Sequence, residues 1–332
     1  MENIASPYQA LSPERIMNAV ESMGFVCTGH LMALNSYENR VYQVGVDDAV
    51  VIAKFYRPER WSDDAIREEL AFVNALADRE IPAVPAIVDK TGQALQFYDD
   101  FRFAVFPSRG GRWPDLDNKD HLQWLGRLLG RIHALGSTQS FQHRAHLSIE
   151  SYGEAASQFL LENKFIPDYL IDVYESVVRD ALTQVRMAFE RAAPLTSIRI
   201  YGDCHPGNIL WTGDGPHFVD FDDCCMGPAI QDLWMLISGS SEEMSDQLSQ
   251  LVKGYQLFHE FPWNELHLIE ALRTLRLMHY SAWLARRWSD PAFPLNFPWF
   301  NETRYWEDHI QSLREQIGLM QEQPVLSLDL SG

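Results

Sequence analysis

The spacing of apolar residues changes along this 332-residue chain, and that change limits the architectures open to it. Up to about residue 106, apolar residues come in short runs broken by turns. Two such runs, 41–44 and 50–55, flank Gly45-Val46-Asp47-Asp48, and two more fall at 94–97 and 101–106. Ser62 can cap an intervening helix that has Asp63 and Asp64 in its first turn and Ile66, Leu70, Val73 and Ala77 along one stripe. Pro107-Ser108-Arg109-Gly110-Gly111 then breaks the pattern. Beyond it the period is helical, with Leu122, Leu125, Leu129, Ile132 and Leu135 leading to Gly136. Further helices are expected near 151–163, 169–192, 243–259, 264–288 and 302–321, and strand-like pieces at 198–200 and 217–219. The reading is a bilobal α+β fold. It has a small antiparallel-sheet lobe over 1–106, a hinge at 107–111 and a larger, mainly helical lobe over 112–332.

Charge narrows the partners. Lys and Arg number 27 against 46 Asp and Glu, a formal net charge of −19, which argues against nucleic acid and against an anionic membrane surface. Cys27, Cys204, Cys224 and Cys225 form no CxxC pair, so neither a zinc site nor a disulfide framework is indicated. The start of the chain has neither a basic nor an apolar leader region, and no apolar run reaches membrane-spanning length. The expectation is a cytoplasmic monomer.

Chemistry concentrates in Tyr201-Gly202-Asp203-Cys204-His205-Pro206-Gly207-Asn208, a loop between two strand-like pieces, followed after a strand by Asp220. An Asp, an Asn five residues on and a later Asp are what phosphoryl transfer needs. One carboxylate orients the acceptor hydroxyl and takes its proton, while an amide oxygen and a second carboxylate hold magnesium against the phosphates. Those roles fall to Asp203, Asn208 and Asp220. Each piece alone reads as an ordinary polar turn; the ordered set favours catalysis. A cation for the nucleotide phosphates is available in Lys54, which interrupts the apolar strand Val51-Ile52-Ala53-Lys54-Phe55, although an edge-strand lysine reaching water would look the same. Of the adjacent Glu68 and Glu69, helical phase at about 100° per residue places Glu69 beside the Ile66/Leu70/Val73 stripe and points Glu68 to solvent. No glycine-rich phosphate loop is present. Asn35-Ser36-Tyr37-Glu38-Asn39-Arg40 stands where it should lie, able to approach phosphate through the Ser36 hydroxyl and backbone N–H groups, or to form a plain turn.

These residues resemble the aminoglycoside phosphotransferase/choline kinase branch of the protein-kinase-like fold, whose catalytic segment reads His-Gly-Asp-x-His-x-x-Asn; here Tyr201 replaces the first His. Within that branch, residues 34–43, 54–61 and 103–108 are similar to the bacterial stress response kinase A family. So are Gly202-Asp203-Cys204-His205, Gly227-Pro228-Ala229, residues 231–236 and Asp290-Pro291-Ala292-Phe293-Pro294. The resemblance implies an ATP- and Mg2+-dependent, autophosphorylating Ser/Thr protein kinase of envelope and general stress responses. It implies Asp203 as proton acceptor, Asn208 and Asp220 as magnesium ligands, Ser36 beside the nucleotide, and Asp232 as support for the catalytic-loop backbone. Phe106, at the end of the last strand before the hinge, joins Ser36, Lys54 and Glu69 as an ATP-binding residue, and His205 supports Asp203. Asp222 and Asp223 could join the metal site, but mutual repulsion at the surface is the commoner fate of such neighbours. Arg273, Arg276, His279, Tyr280, Arg286 and Arg287 either line the acceptor cleft or pair with surplus carboxylates, the second being favoured.

Two other functions compete. Only seven residues separate Asp220 from Pro228, with no long activation segment, and an acidic chain suits a cationic amino-sugar or choline-like alcohol. A catalytically weak nucleotide-binding scaffold would explain the absent glycine loop, but not the complete Asp203/Asn208/Asp220 set.

Overall fold

The computed structural model of the chain describes residues 8–47 and 49–322. The N-terminal stretch read above for a leader, as far as Pro7, and Asp48 of the hairpin turn lie outside the described residues. The chain divides into two compact units. One comprises residues up to Pro114 together with Phe141–Arg144 and Pro206–Cys224; the other comprises Asp115–Ser140, Ala145–His205 and the chain from Cys225 on.

The first unit opens with α1 (Pro13–Ser22), capped by the Ser12 hydroxyl and with Pro at its first position. It continues through β1 (Cys27–Ala33), β2 (Arg40–Val46), β3 (Ala49–Phe55), α2 (Asp63–Ala77), β4 (Gln96–Tyr98) and β5 (Phe101–Pro107). The strands form one antiparallel sheet in the order β1-β2-β3-β5-β4. β1 and α1 add to the elements expected from the sequence. β1 is mostly solvent-exposed and so lacks the apolar alternation that marks the other strands. Along β3 the two-residue period sends Val51, Ala53 and Phe55 into a core with Ile16 and Val20 of α1, where Phe55 stacks on Phe103 at 5.4 Å. Lys54 consequently faces the other side of the sheet, where Tyr56 and Ala104 pack against Ile66 and Leu70 of α2.

The chain then runs through α3 (Lys119–Gly136), α4 (Ala155–Glu162), α5 (Ile171–Arg191) and β6 (Ile198–Ile200) in the second unit. It returns to the first unit for the hairpin β7 (Ile209–Thr212) and β8 (Gly215–Phe218). Residues 141–144 are fastened to α2 in the first unit: the Glu68 carboxylate accepts from the backbone N–H groups of Gln142, His143 and Arg144 at 2.7, 2.9 and 3.1 Å. Glu68 is therefore a loop anchor and not the solvated residue its helical phase suggested.

The second unit is completed by β9 (Cys225–Gly227), α6 (Ile230–Trp234), α7 (Ser241–Tyr255), α8 (Ile269–Arg286), α9 (Ala292–Asn296) and α10 (Thr303–Leu319). No helix among the described residues is long and apolar enough to cross a membrane. The C-terminal tryptophans are packing residues. Trp283 lies edge-on to Phe293 at 5.1 Å, and Trp306 packs on Phe300 at 5.2 Å.

Two devices fix the helices around the loop that follows β6. α3 and α7 meet backbone to backbone: a Cβ on Gly126 would stand 2.0 Å from the Leu251 carbonyl oxygen, and one on Gly254 2.0 Å from that of Gln123. α6, too short to be stable alone, is held at its start by Glu265, whose carboxylate accepts from the Ile230 N–H at 2.9 Å while only 2% exposed. Alanine in place of a helical glycine normally gains about 1 kcal/mol, but overpacking costs about 1–3 kcal/mol or more. Here the clash is with main chain and cannot be relieved by a rotamer. Gly126→Ala should lower Tm by about 2–4 °C in a thermal melt; an unchanged or raised Tm would show that the helices are free to separate. Burial pushes the Glu265 carboxyl up to about 7, against the pull of its backbone hydrogen bonds. Its proton is bound more tightly folded than unfolded, so its contribution is complete below about pH 4.5 and lost as the pH rises through 7. Glu265→Gln should flatten the decline of Tm across that window, whereas parallel curves for the two proteins would refute the assignment.

Candidate active site

The first unit buries a lysine. Lys54 is 5% exposed, and its Nζ lies 3.3 Å from Glu69 Oε1, 3.1 Å from Asp220 Oδ1 and 3.0 Å from Asp222 Oδ1. Burial opposes its charge, but Asp222, Glu69 and Asp220 outweigh that and hold the ammonium pKa well above the ordinary lysine value. Glu69 is also 3.6 Å from the buried Arg144 guanidinium, so the helix carboxylate bridges two cations. Burial pushes its pKa up against the pull of both. The structure thus brings Lys54 and Glu69 together from β3 and α2.

It also moves Asp222 from the surface, where repulsion was expected to leave it, into the centre of this cluster. Asp222 is 3% exposed and ion-paired to Lys54 and to Arg60, with Arg144 close by. Burial alone would raise its pKa; Arg60, Lys54 and Arg144 reverse that and hold it well below the carboxylate range. Three cations converging on the same loop make an ionised Asp222 stable where a lone one would not be. Asp223 remains half-exposed and pairs with the other arm of Arg60.

A cavity of about 340 Å³ in the same unit is lined by Ser36, Lys54, Glu69, Phe106, Asn208 and Asp220, with Ile52 and Leu210 contributing apolar wall. The Ser36 hydroxyl donates to the Asn39 carbonyl at 3.1 Å, and the buried Asn39 side chain accepts from the Arg57 N–H at 3.0 Å, so this segment is tied down where a glycine loop would be mobile. Asp220 has φ +57°, a left-handed conformation that Asp tolerates better than most residues but seldom adopts, and its carboxylate is 54% exposed. Asn208 closes the turn before β7, its carbonyl accepting from the Val219 N–H at 3.1 Å. No group of three or more His, Cys, Asp or Glu suited to a metal occurs among the described residues. That is compatible with magnesium, which takes one or two carboxylates and completes its shell with phosphate oxygens and water. An exposed Asp220 and a cavity-lining Asn208 are hard oxygen donors of that kind, whereas both Asp222 oxygens are committed to cations.

In the second unit Asp203 stands at the end of the turn after β6. Its Oδ1 is 2.8 Å from the Arg276 guanidinium on α8 and its Oδ2 3.5 Å from His205 Nε2. The preceding backbone is fixed by Asp232 on α6. This fully buried carboxylate accepts from the N–H groups of Tyr201 and Gly202 at 2.8 Å each and meets His133 of α3 at 2.9 Å, which in turn reaches the Tyr255 hydroxyl at 2.9 Å. Gly202 takes φ +87°, which its lack of a Cβ permits. Cys204 is buried, and burial with nearby Asp232 and Asp203 keeps its thiol protonated.

Sequence reasoning assigned no role to Arg60, Arg144 or His133, weighed Asp222 only as a possible metal residue and left Arg276 as one of several cations on its helix. Arg276 does pair with a carboxylate, as favoured, but the carboxylate is Asp203 itself. Arg273 pairs with Glu270 at 2.8 Å, while Arg286 and Arg287 lie over the rings of Phe159 and Trp283.

The chain matches the phosphotransferase enzyme family over residues 30–269. It is 43% identical over 326 residues to stress response kinase A of Escherichia coli (strain K12), with 98% of each chain covered. It is 41% identical over 326 residues to serine/threonine protein kinase RdoA of Salmonella typhimurium (strain LT2), again with 98% of each covered. Among solved structures, amicoumacin kinase hAmiN in complex with AMP-PNP, Ca2+ and Ami is similar with a TM-score of 0.70 over 94% of this chain and 95% of that one; at 20% identity the likeness is one of fold. A five-stranded antiparallel sheet carrying the buried Lys54–Glu69 pair, a separate helical lobe and these relatives together place the chain in the phosphotransferase enzyme family, with the protein-kinase-like fold and among the stress response kinases.

Proposed function

We propose that this kinase transfers the γ-phosphoryl of ATP to serine or threonine hydroxyls of protein, its own included, in the bacterial envelope and general stress response. The observation that carries the reading is the 41% identity over nearly the whole chain to a protein named a serine/threonine protein kinase. Lys54, kept charged and oriented by Glu69, would engage the nucleotide phosphates, with Ser36 and Phe106 beside the nucleotide. Asn208 and Asp220 would hold magnesium, which when bound neutralises phosphate charge. Asp203, held by Arg276 and supported by His205, would accept the acceptor hydroxyl's proton as its oxygen bonds to the γ-phosphorus and the bond to the β-phosphate bridging oxygen breaks, leaving ADP. Residues 107–111 would serve as the hinge of a cytoplasmic, monomeric enzyme.

A second reading, a kinase for a small amino-sugar or choline-like alcohol, draws on the amicoumacin kinase likeness and on the seven-residue interval between Asp220 and Pro228. Labelled ATP with Mg2+ separates the two, using the protein alone, then with a generic protein substrate, then with small amino alcohols. Label should appear on protein, fall about a hundredfold or more in Asp203→Ala while MgATP binding persists, and vanish together with Mg2+-dependent binding in Asp220→Ala. Label on the amino alcohols alone would establish the second reading. Equal loss of nucleotide binding in both variants would show the two aspartates to be misassigned.

A further inference from the structure

We infer that Arg60 is a positioning residue that couples the nucleotide-covering segment to the metal-binding loop and keeps Asp220 as the loop's metal carboxylate. The inference rests on the reading of Asn208 and Asp220 as magnesium ligands given above. Arg60 lies in the connection between β3 and α2, with its side chain 11% exposed, and it faces two segments at once. One guanidinium nitrogen binds Asp222 and the other binds Asp223, while Glu38, from the segment occupying the place of a glycine loop, lies 3.8 Å away. Glu38 is itself gripped by Arg57, three residues before Arg60, at 3.0 Å through its carboxylate and 3.1 Å through its carbonyl. One short connection thus clamps both the covering segment and the metal loop.

Charge explains why such a clamp is needed. Three carboxylates fall within the four residues 220–223, and left alone they would repel one another and compete for a divalent cation. Lys54 can satisfy only part of that charge, and it must also serve the nucleotide. The planar fork of Arg60 presents a separate nitrogen to each of Asp222 and Asp223, withdrawing both from competition and leaving the exposed Asp220 for the metal. A lysine supplies one point charge on a flexible stem and lacks the two rigidly spaced nitrogens that give Asp222 and Asp223 a donor each. Because the fork also faces Glu38, metal at Asp220 and nucleotide under the 35–40 segment favour the same arrangement of Arg60. Linkage then requires each ligand to raise the affinity for the other.

The test is the ratio of nucleotide dissociation constants without and with Mg2+, measured by calorimetry with a non-hydrolysable ATP analogue, alongside Tm for every variant. In the parent, Mg2+ should tighten nucleotide binding. In Arg60→Gln the ratio should fall about fivefold or more, with Arg60→Lys recovering only part of it. Glu38→Gln should also lower the ratio, and Glu38→Gln combined with Arg60→Gln should go no lower than Arg60→Gln alone. An unchanged ratio in folded Arg60→Gln, with only Tm reduced, would make Arg60 a stability residue and overturn the proposal. Additive losses from the two substitutions would overturn the coupling. Absence of any Mg2+ effect in the parent would instead defeat the underlying metal-site reading.

Discussion

The structure of the small lobe depends on burying the ammonium of Lys54. A lone buried charge is too costly to keep, so its strand position obliges the surrounding elements to deliver carboxylates. Glu69 arrives from α2, and Asp220 and Asp222 from the loop after β8, all within 3.3 Å. The cluster would then be over-charged with acid, and Arg60 and Arg144 restore the balance. The chain accordingly sends residues 141–144 and 206–224 back to a unit that begins at its N-terminus. Apolar packing fastens the same segments, with Phe72 of α2 edge-on to Phe141 and Phe221.

A separate polar network governs the helical lobe. Asp232 cannot be buried without donors, and it finds them in the Tyr201 and Gly202 N–H groups and in His133. That requirement fixes the backbone immediately before Asp203. It also explains the glycines between α3 and α7: only close helices let His133 reach both Asp232 and Tyr255. Arg276 then sets the carboxylate of Asp203 itself. The candidate residues of the small lobe are fixed by ion pairs, and Asp203 of the large lobe by hydrogen bonds to the main chain before it and by Arg276.

Much of this was legible in the sequence, because periodicity reports which face of an element is buried. The change of period near residue 106 marks the passage from sheet to helices, and the phase of α2 was enough to pair Lys54 with Glu69 and not Glu68. Legibility ended where a residue's partner is distant in sequence. Glu68 looked solvent-facing by phase because the N–H groups it caps lie more than seventy residues away. Asp222 looked like a surface acid because Arg60, on another element, is what makes its burial affordable. Arg276 was one of several cations on an apolar helix, and no local spacing distinguished it. β1 carried no signal since it is largely exposed, whereas α1 was missed although Ser12-Pro13 is a readable helix start.

The most direct measurement is a crystal structure with a non-hydrolysable ATP analogue and Mn2+, whose anomalous scattering locates the metal. The peak should lie between the Asp220 carboxylate and the Asn208 amide oxygen, with Lys54 Nζ turned from Asp220 toward phosphate while still paired with Glu69, and with Asp222 still bound to Arg60. A peak on Asp222 or Asp223, or nucleotide phosphates remote from Lys54, would contradict this assignment.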